Sequence, residues 1–126
     1  MLFRSHNPGY DLTLSVPKSV SVWWALADRQ TQKQIDGVID EAAQRVLTYI
    51  QDDLQLGRRG LGGREEERAG LVVGMFSHFD NRNGDPQRHI HCTVLTPCLR
   101  EDGSWASING AKLRDWTDSS CETKKD

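Results

Sequence analysis

The chain has 126 residues, with 16 Lys and Arg against 18 Asp and Glu and a formal net charge of −2. That length suits one domain, and the charge excludes a globally basic nucleic-acid binder, so any hold on phosphate must come from a local patch. The three cysteines Cys92, Cys98 and Cys121 form neither a CxxC pair nor a disulfide framework, no apolar run reaches the ~18 residues of a membrane span, and "MLFRSHNPGY" lacks a signal-peptide core, so a reducing cytoplasm is the expected setting.

"YDLTLSVP" alternates Leu12, Leu14 and Val16 with Asp11, Thr13 and Ser15, which predicts a half-buried strand. Pro17 ends it and opens a short apolar helix, about Lys18 to Ala27, whose Trp23 and Trp24 are expected in the core. Next, Ile35, Val38, Ile39, Ala42, Ala43, Val46, Leu47, Ile50 and Leu54 recur at helical steps. They predict an amphipathic helix from about Thr31 to Leu56, stopped by Gly57. The Gly- and Arg-rich stretch from Gly57 to Gly70 has no period and is expected to be a mobile loop.

"GLVVGMFSH", "RHIHCTVLTPCL" and "SWASI" then read as strands, the first two joined as a hairpin through the turn-rich "FDNRNGDPQ". From about 114 to 126 apolar periodicity is lost, and a poorly ordered tail is expected. The fold class is α+β, an antiparallel β-sheet with helices packed on one side.

"HFDNRNGDPQRHIH" carries three of the four histidines. On a strand, His89 and His91 leave the same face while Ile90 and Cys92 take the other. His78 ends the preceding strand, where cross-strand neighbours approach within about 5 Å at Cβ. Three neutral nitrogens leave a divalent ion its charge and some open positions, an arrangement suited to catalysis, although histidines at such spacing are often unliganded. Asp11 leaves the polar face of the first strand, where it either orients a histidine, accepts a proton or is simply solvated. Arg82 in the hairpin loop either meets a phosphate or lies free in water.

Two ordered stretches resemble one family. "DLTLSVPKSVSVWWAL" (Asp11 to Leu26) is similar to the opening motif of the relaxase domain of MobF-class (TrwC/TraI-type) conjugative relaxases. "FSHFDNRNGDPQRHIH" (Phe76 to His91) resembles their metal motif, F-x-H-x-x-x-R-x-x-D-P-Q-x-H-x-H. "GLVVGMF" and "DGSWASING" fall where that family has them, so the resemblance covers about Gly9 to Leu113. The class belongs to the HUH endonucleases, whose triplet is His89-Ile90-His91 here.

The resemblance implies a partial HUH relaxase-like fold with metal ligands His78, His89 and His91, and a divalent metal, Mg²⁺ or Mn²⁺. It places Asp11 beside the nucleophile and the metal, as proton acceptor or histidine orienter. The implied reaction is transesterification on single-stranded DNA at a plasmid transfer origin, in which a tyrosine attacks a phosphodiester, forms a phosphotyrosine link and releases a 3′-hydroxyl. Lys18 and Arg82 are the candidate DNA contacts, and relaxosome proteins the implied partners.

Arg88 stands where the family is usually apolar, and Ser77 and Asp80 also differ, but none of these is a ligand. The family's nucleophilic tyrosines lie well upstream of the Asp11 motif, where this chain has ten residues, and neither Tyr10 nor Tyr49 matches them. A single partial relaxase domain over 1–126 is therefore expected, carrying the metal core without being competent to nick alone. Two other readings stay open: a non-catalytic single-stranded DNA-binding module using loop arginines and tryptophans, and a metal-dependent phosphodiesterase with a bound water as nucleophile and Asp11 as base.

Overall fold

In the computed structural model, which describes residues 8–60, 62, 64–80 and 82–122 (side chains at 80 and 120–122 excepted), the first alternating segment forms strand β1, Gly9–Ser15. Leu12 is buried and Leu14 half-buried on one face, while Asp11, Thr13 and Ser15 are exposed on the other. Pro17 then caps helix α1, Lys18–Leu26, with its ring-fixed φ of −53°. Trp24 is half-buried, but Trp23 is 57% exposed, so only one of the two expected core tryptophans packs inward.

Helix α2, Arg29–Asp53, begins at Asp28, whose carboxylate accepts the Thr31 N–H at 2.7 Å. Helical spacing turns Ile35, Ala43, Leu47 and Ile50 onto the sheet. The helix ends sooner than expected, because Leu54 is its C-cap and Gln55 takes a left-handed φ of 52°. Gly57 is thus not the stop. It opens strand β2, Gly57–Arg59, where an added Cβ would meet the Glu67 carbonyl oxygen at 2.8 Å.

The expected mobile loop from Gly57 to Gly70 is in part a second, two-stranded sheet, β2 paired antiparallel with β3, Glu65–Glu67. Charge complementarity replaces apolar patterning here. Arg59 pairs with Glu67 at 3.0 Å and Asp102 at 2.9 Å, Lys112 pairs with Glu66, and Arg68 reaches Asp52 of α2 at 2.7 Å.

Strands β4, Ala69–Asp80, and β5, Pro86–Arg100, form a long hairpin, closed by a short turn in which Gly84 has a φ of 79°. β5 is the central strand, with β1 on one side and β4 on the other; β6, Trp105–Ser107, pairs with Pro97 to Leu99 of β5. Proline at the first position of β5 leaves its ladder intact. Leu12, Ile90, Cys92 and Val94 from the sheet pack against Ala43, Leu47 and Ile50 of α2, each large aliphatic group stabilising the fold by about 1.5–3 kcal/mol. Cys92 and Cys98 are free and buried, and burial raises both thiol pKa values.

Helix α3, Gly110–Glu122, occupies most of the stretch expected to be poorly ordered. Leu113 and Trp116 anchor it to the core, and Trp116 meets Tyr49 of α2 with ring centroids 6.0 Å apart. Its first residue is glycine, and a Cβ there would fall on the Tyr10 hydroxyl, so a larger residue would have to displace that ring. The antiparallel sheet with helices on one side is therefore as expected from sequence, and no described helix is long and apolar enough to cross a membrane.

Asp102 links the small sheet to the β5–β6 turn, accepting from the Ser104 hydroxyl at 2.6 Å and the Ser104 N–H at 2.9 Å besides its pairing with Arg59. Those hydrogen bonds, with the Arg59 contact, hold its carboxyl well below the usual carboxylate range. A depressed folded-state pKa means that the unfolded chain takes up protons first as pH falls. The contribution of Asp102 is thus complete above about pH 4 and is lost as acid approaches its folded-state value. Thermal melts followed by circular dichroism should show Asp102→Asn less stable than wild type at pH 7, with the difference shrinking as pH drops below about 4.

Candidate metal centre

Strand alternation builds the site from β5. Arg88, Ile90, Cys92 and Val94 are buried under the helices, so Gln87, His89, His91 and Thr93 take the opposite face. The β4 register sets His78 directly across from His89, and the β1 register sets Thr13 across from His91 and Ser15 across from His89. His78 stacks on His89 with centroids 4.9 Å apart, and His91 meets the two rings edge-on at 4.7 and 4.9 Å. One nitrogen from each ring lies within 4.8 Å of the other two. The triad thus stands on a rigid sheet, and its three imidazoles converge as the sequence spacing implied.

The polar neighbours select which nitrogen faces the centre. His89 Nδ1 lies 3.0 Å from the Gln87 carbonyl oxygen, an acceptor that keeps the proton on Nδ1 and leaves Nε2 free. His91 Nδ1 lies 3.3 Å from Thr13 Oγ1 and 3.5 Å from Asp11 Oδ2, which favours the same tautomer. Asp11 is 61% exposed and sits across from Thr93, so its carboxylate reaches diagonally to His91. The donor set fits a divalent ion: nitrogens sharing one ion lie no more than about 4 Å apart, which needs only a small inward turn of the rings. Three ligands from one side would leave the outer positions of such an ion open.

An open cleft of 490 Å³ spreads over the triad, with Thr13, Ser15, Gln87 and Arg82 completing its lining. Arg82 is therefore beside the histidines. Lys18 donates to the Pro86 carbonyl at 2.8 Å, which ties α1 to the start of β5 and leaves two further N–H donors. The two tyrosines are elsewhere. Tyr10 alternates with Asp11 onto the helical face and packs against the core, with Arg114 5.6 Å over its ring. Tyr49 belongs to α2 on that same side. The fourth histidine, His6, lies outside the described residues.

Arg88, one residue before His89, is 2% exposed. Its guanidinium lies 4.4 Å from the Phe79 ring centroid and 5.2 Å from that of Trp24, and it pairs with Asp36 of α2. Trp24 and Phe79 also stack on each other at 5.0 Å. Its backbone N–H donates to the buried Ser21 hydroxyl at 2.9 Å, and its carbonyl accepts from Val16 at 3.1 Å. Burying the cation costs several kcal/mol, which Asp36 and two ring faces, at about 0.5–2 kcal/mol each, offset in part. This cluster braces the backs of both His89 and His78, since Phe79 follows His78 in β4. In the sequence Arg88 is visible only as a departure from the family pattern, because nothing in the spacing links it to Asp36.

The model of the TrwC relaxase family matches residues 3–119. The chain belongs to the TrwC relaxase family. It is 32% identical over 113 residues to the multifunctional conjugation protein TraI of Escherichia coli, covering 87% of this chain and 6% of TraI. The metal-bound structure of the conjugative relaxase TrwC in complex with oriT DNA superposes with a TM-score of 0.74 at 33% identity, over 89% of this chain and 38% of that one. TrwC complexed with a 27-mer DNA comprising the recognition hairpin and the cleavage site gives 0.68 at 33% identity, over 86% and 38%. This relaxase-family chain thus spans well under half of the solved TrwC chain.

Arg88→Ala empties the space between Trp24 and Phe79 and strands Asp36, whose side chain is 33% exposed. Urea unfolding should show a loss of about 3 kcal/mol, the low end for a broken buried pair because Asp36 can rehydrate. Arg88→Leu with Asp36→Leu should return to within about 1 kcal/mol of wild type.

Proposed function

We propose that this chain forms the metal-centred half of a relaxase active site acting on single-stranded DNA at a plasmid transfer origin, in the cytoplasm and among relaxosome partners. The convergence of His78, His89 and His91 on one open sheet face is the observation that carries this reading. These residues hold a divalent ion, Mg²⁺ or Mn²⁺, which when bound stabilises charge on the oxygens of the scissile phosphate. Gln87 and Asp11 fix the ring tautomers, and Arg82 pairs with a neighbouring phosphate across the cleft. Lys18 supplies a second phosphate contact at the start of β5.

Asp11 has a further role as proton acceptor for an attacking hydroxyl arriving from the open face. Neither Tyr10 nor Tyr49 is that hydroxyl, because both belong to the helical side. The chain is therefore not expected to nick DNA by itself. A second reading takes support from the same placement: with no tyrosine at the cleft and a carboxylate beside it, Asp11 serves as base for a water in phosphodiester hydrolysis.

Isothermal titration with Mn²⁺ should show one site, lost in His78→Ala, His89→Ala and His91→Ala and weakened about tenfold in Asp11→Asn. Retention of full Mn²⁺ affinity in all three alanine variants would remove the basis of the assignment. Incubation with Mn²⁺ and a labelled single-stranded origin oligonucleotide should give binding without a covalent adduct. An adduct mapped to Tyr10 or Tyr49 would overturn the exclusion of those residues, and steady turnover abolished by Asp11→Asn would favour hydrolysis.

A further inference from the structure

The histidine face holds an aromatic ring that the metal chemistry leaves unused. Phe76 lies on β4 directly across from His91 and two residues before His78, so it rises from the same face as the triad. It is 58% exposed, an unfavourable state for so large an apolar side chain. Gly74 sets its posture: a Cβ there would stand 3.2 Å from Phe76 Cε2 and 3.6 Å from Cζ, so the ring leans back along β4 over a bare glycine. Gly74 pairs with Thr93, which pairs in turn with Asp11. The ring therefore lies in the sheet row next to the Asp11–His91 contact, with glycine beneath it and its outer side open.

Directly paired side chains on neighbouring strands stand about 5 Å apart at Cβ. A phosphate at the triad thus brings one adjoining nucleobase to the row that Phe76 occupies. Stacking on an exposed ring needs an unpaired base and tolerates any sequence. The nearby Phe79, 47% exposed, is already engaged on the helical side, stacked on Trp24 with the Arg88 guanidinium over its ring. Trp105 is equally exposed, but it pairs with Leu99, eight residues along β5 from His91, or roughly 27 Å away.

We infer that Phe76 is a base-stacking subsite, the platform on which a nucleobase flanking the metal-held phosphate of a single strand lies. This rests on the relaxase reading above and adds to it a residue that positions the strand by its base. Gly74 belongs to the subsite because any larger residue there would lift the ring.

The test uses the chain with saturating Mn²⁺ and a six-nucleotide fluorescein-labelled oligothymidylate, followed by anisotropy, beside an abasic oligomer of the same length. Phe76→Ala should weaken oligothymidylate binding about 5- to 100-fold, while Phe76→Trp retains wild-type binding. Both variants should match wild type on the abasic strand and in Mn²⁺ titration, and Trp105→Ala should bind oligothymidylate normally. Wild-type affinity in Phe76→Ala, or an equal loss in Trp105→Ala, would overturn the subsite while leaving the relaxase reading standing. A loss of Mn²⁺ affinity in Phe76→Ala would likewise overturn it, marking a packing role. Failure of the wild type to bind either strand would sink the relaxase reading and the subsite with it.

Discussion

The two-residue period of β5 is the constraint on which the rest depends. Along its fifteen residues, Arg88, Ile90, Cys92 and Val94 go inward while Gln87, His89, His91 and Thr93 go outward. A slip of one residue against β1 or β4 would expose the first set and bury the histidines. Burial of Leu12, Ile90 and Val94 alone stabilises the correct register by about 1.5–3 kcal/mol per side chain. The packing of the core therefore brings the three imidazoles onto one face.

Three different devices then hold the three rings. His91 is held by side chains of β1, Asp11 and Thr13; His89 by the backbone of its own strand; His78 by ring contact with the other two. Behind them the Arg88 cluster ties β5 to α1 and α2. A buried cation is a costly brace compared with an apolar residue, and its Nε and Nη1 find no partner among the described residues. Its distinguishing property is direction: a guanidinium fixed by one carboxylate and two ring faces has a single orientation, where an aliphatic side chain would have several.

Strong periodicity made part of this legible in sequence. The alternation of Leu12 and Leu14 with Asp11 and Thr13, and the stripe of Ile35, Ala43, Leu47 and Ile50, each bury apolar area and appear in the structure as expected. The pairing of β2 with β3 was not legible, since Arg59 meets Glu67 of β3 through charge, Arg58 donates to the Ile108 carbonyl, and no apolar period is left. Helix α3 was hidden for a related reason, its anchoring being carried by Leu113 and Trp116 and by the fit of Gly110 against Tyr10. At the site, the HxH spacing fixes one face, but the orienting carbonyl of Gln87 belongs to the backbone and has no residue signature. The Arg88–Asp36 pair spans 52 positions and could not be read from local spacing.

A sheet one strand thick also decides from where chemistry can arrive. Tyr10 and Asp11 are adjacent in sequence and for that reason lie on opposite faces, the phenol ring against the core and the carboxylate beside His91. No rotamer change carries Tyr10 through the backbone ladder between β1 and β5, whose seven paired positions run from Gly9 to Ser15. Whatever reaches the histidines approaches from the side that carries Thr13, Phe76 and Arg82. The helices close the other side, so among the described residues the histidines and the Asp11 carboxylate are reached from the open face.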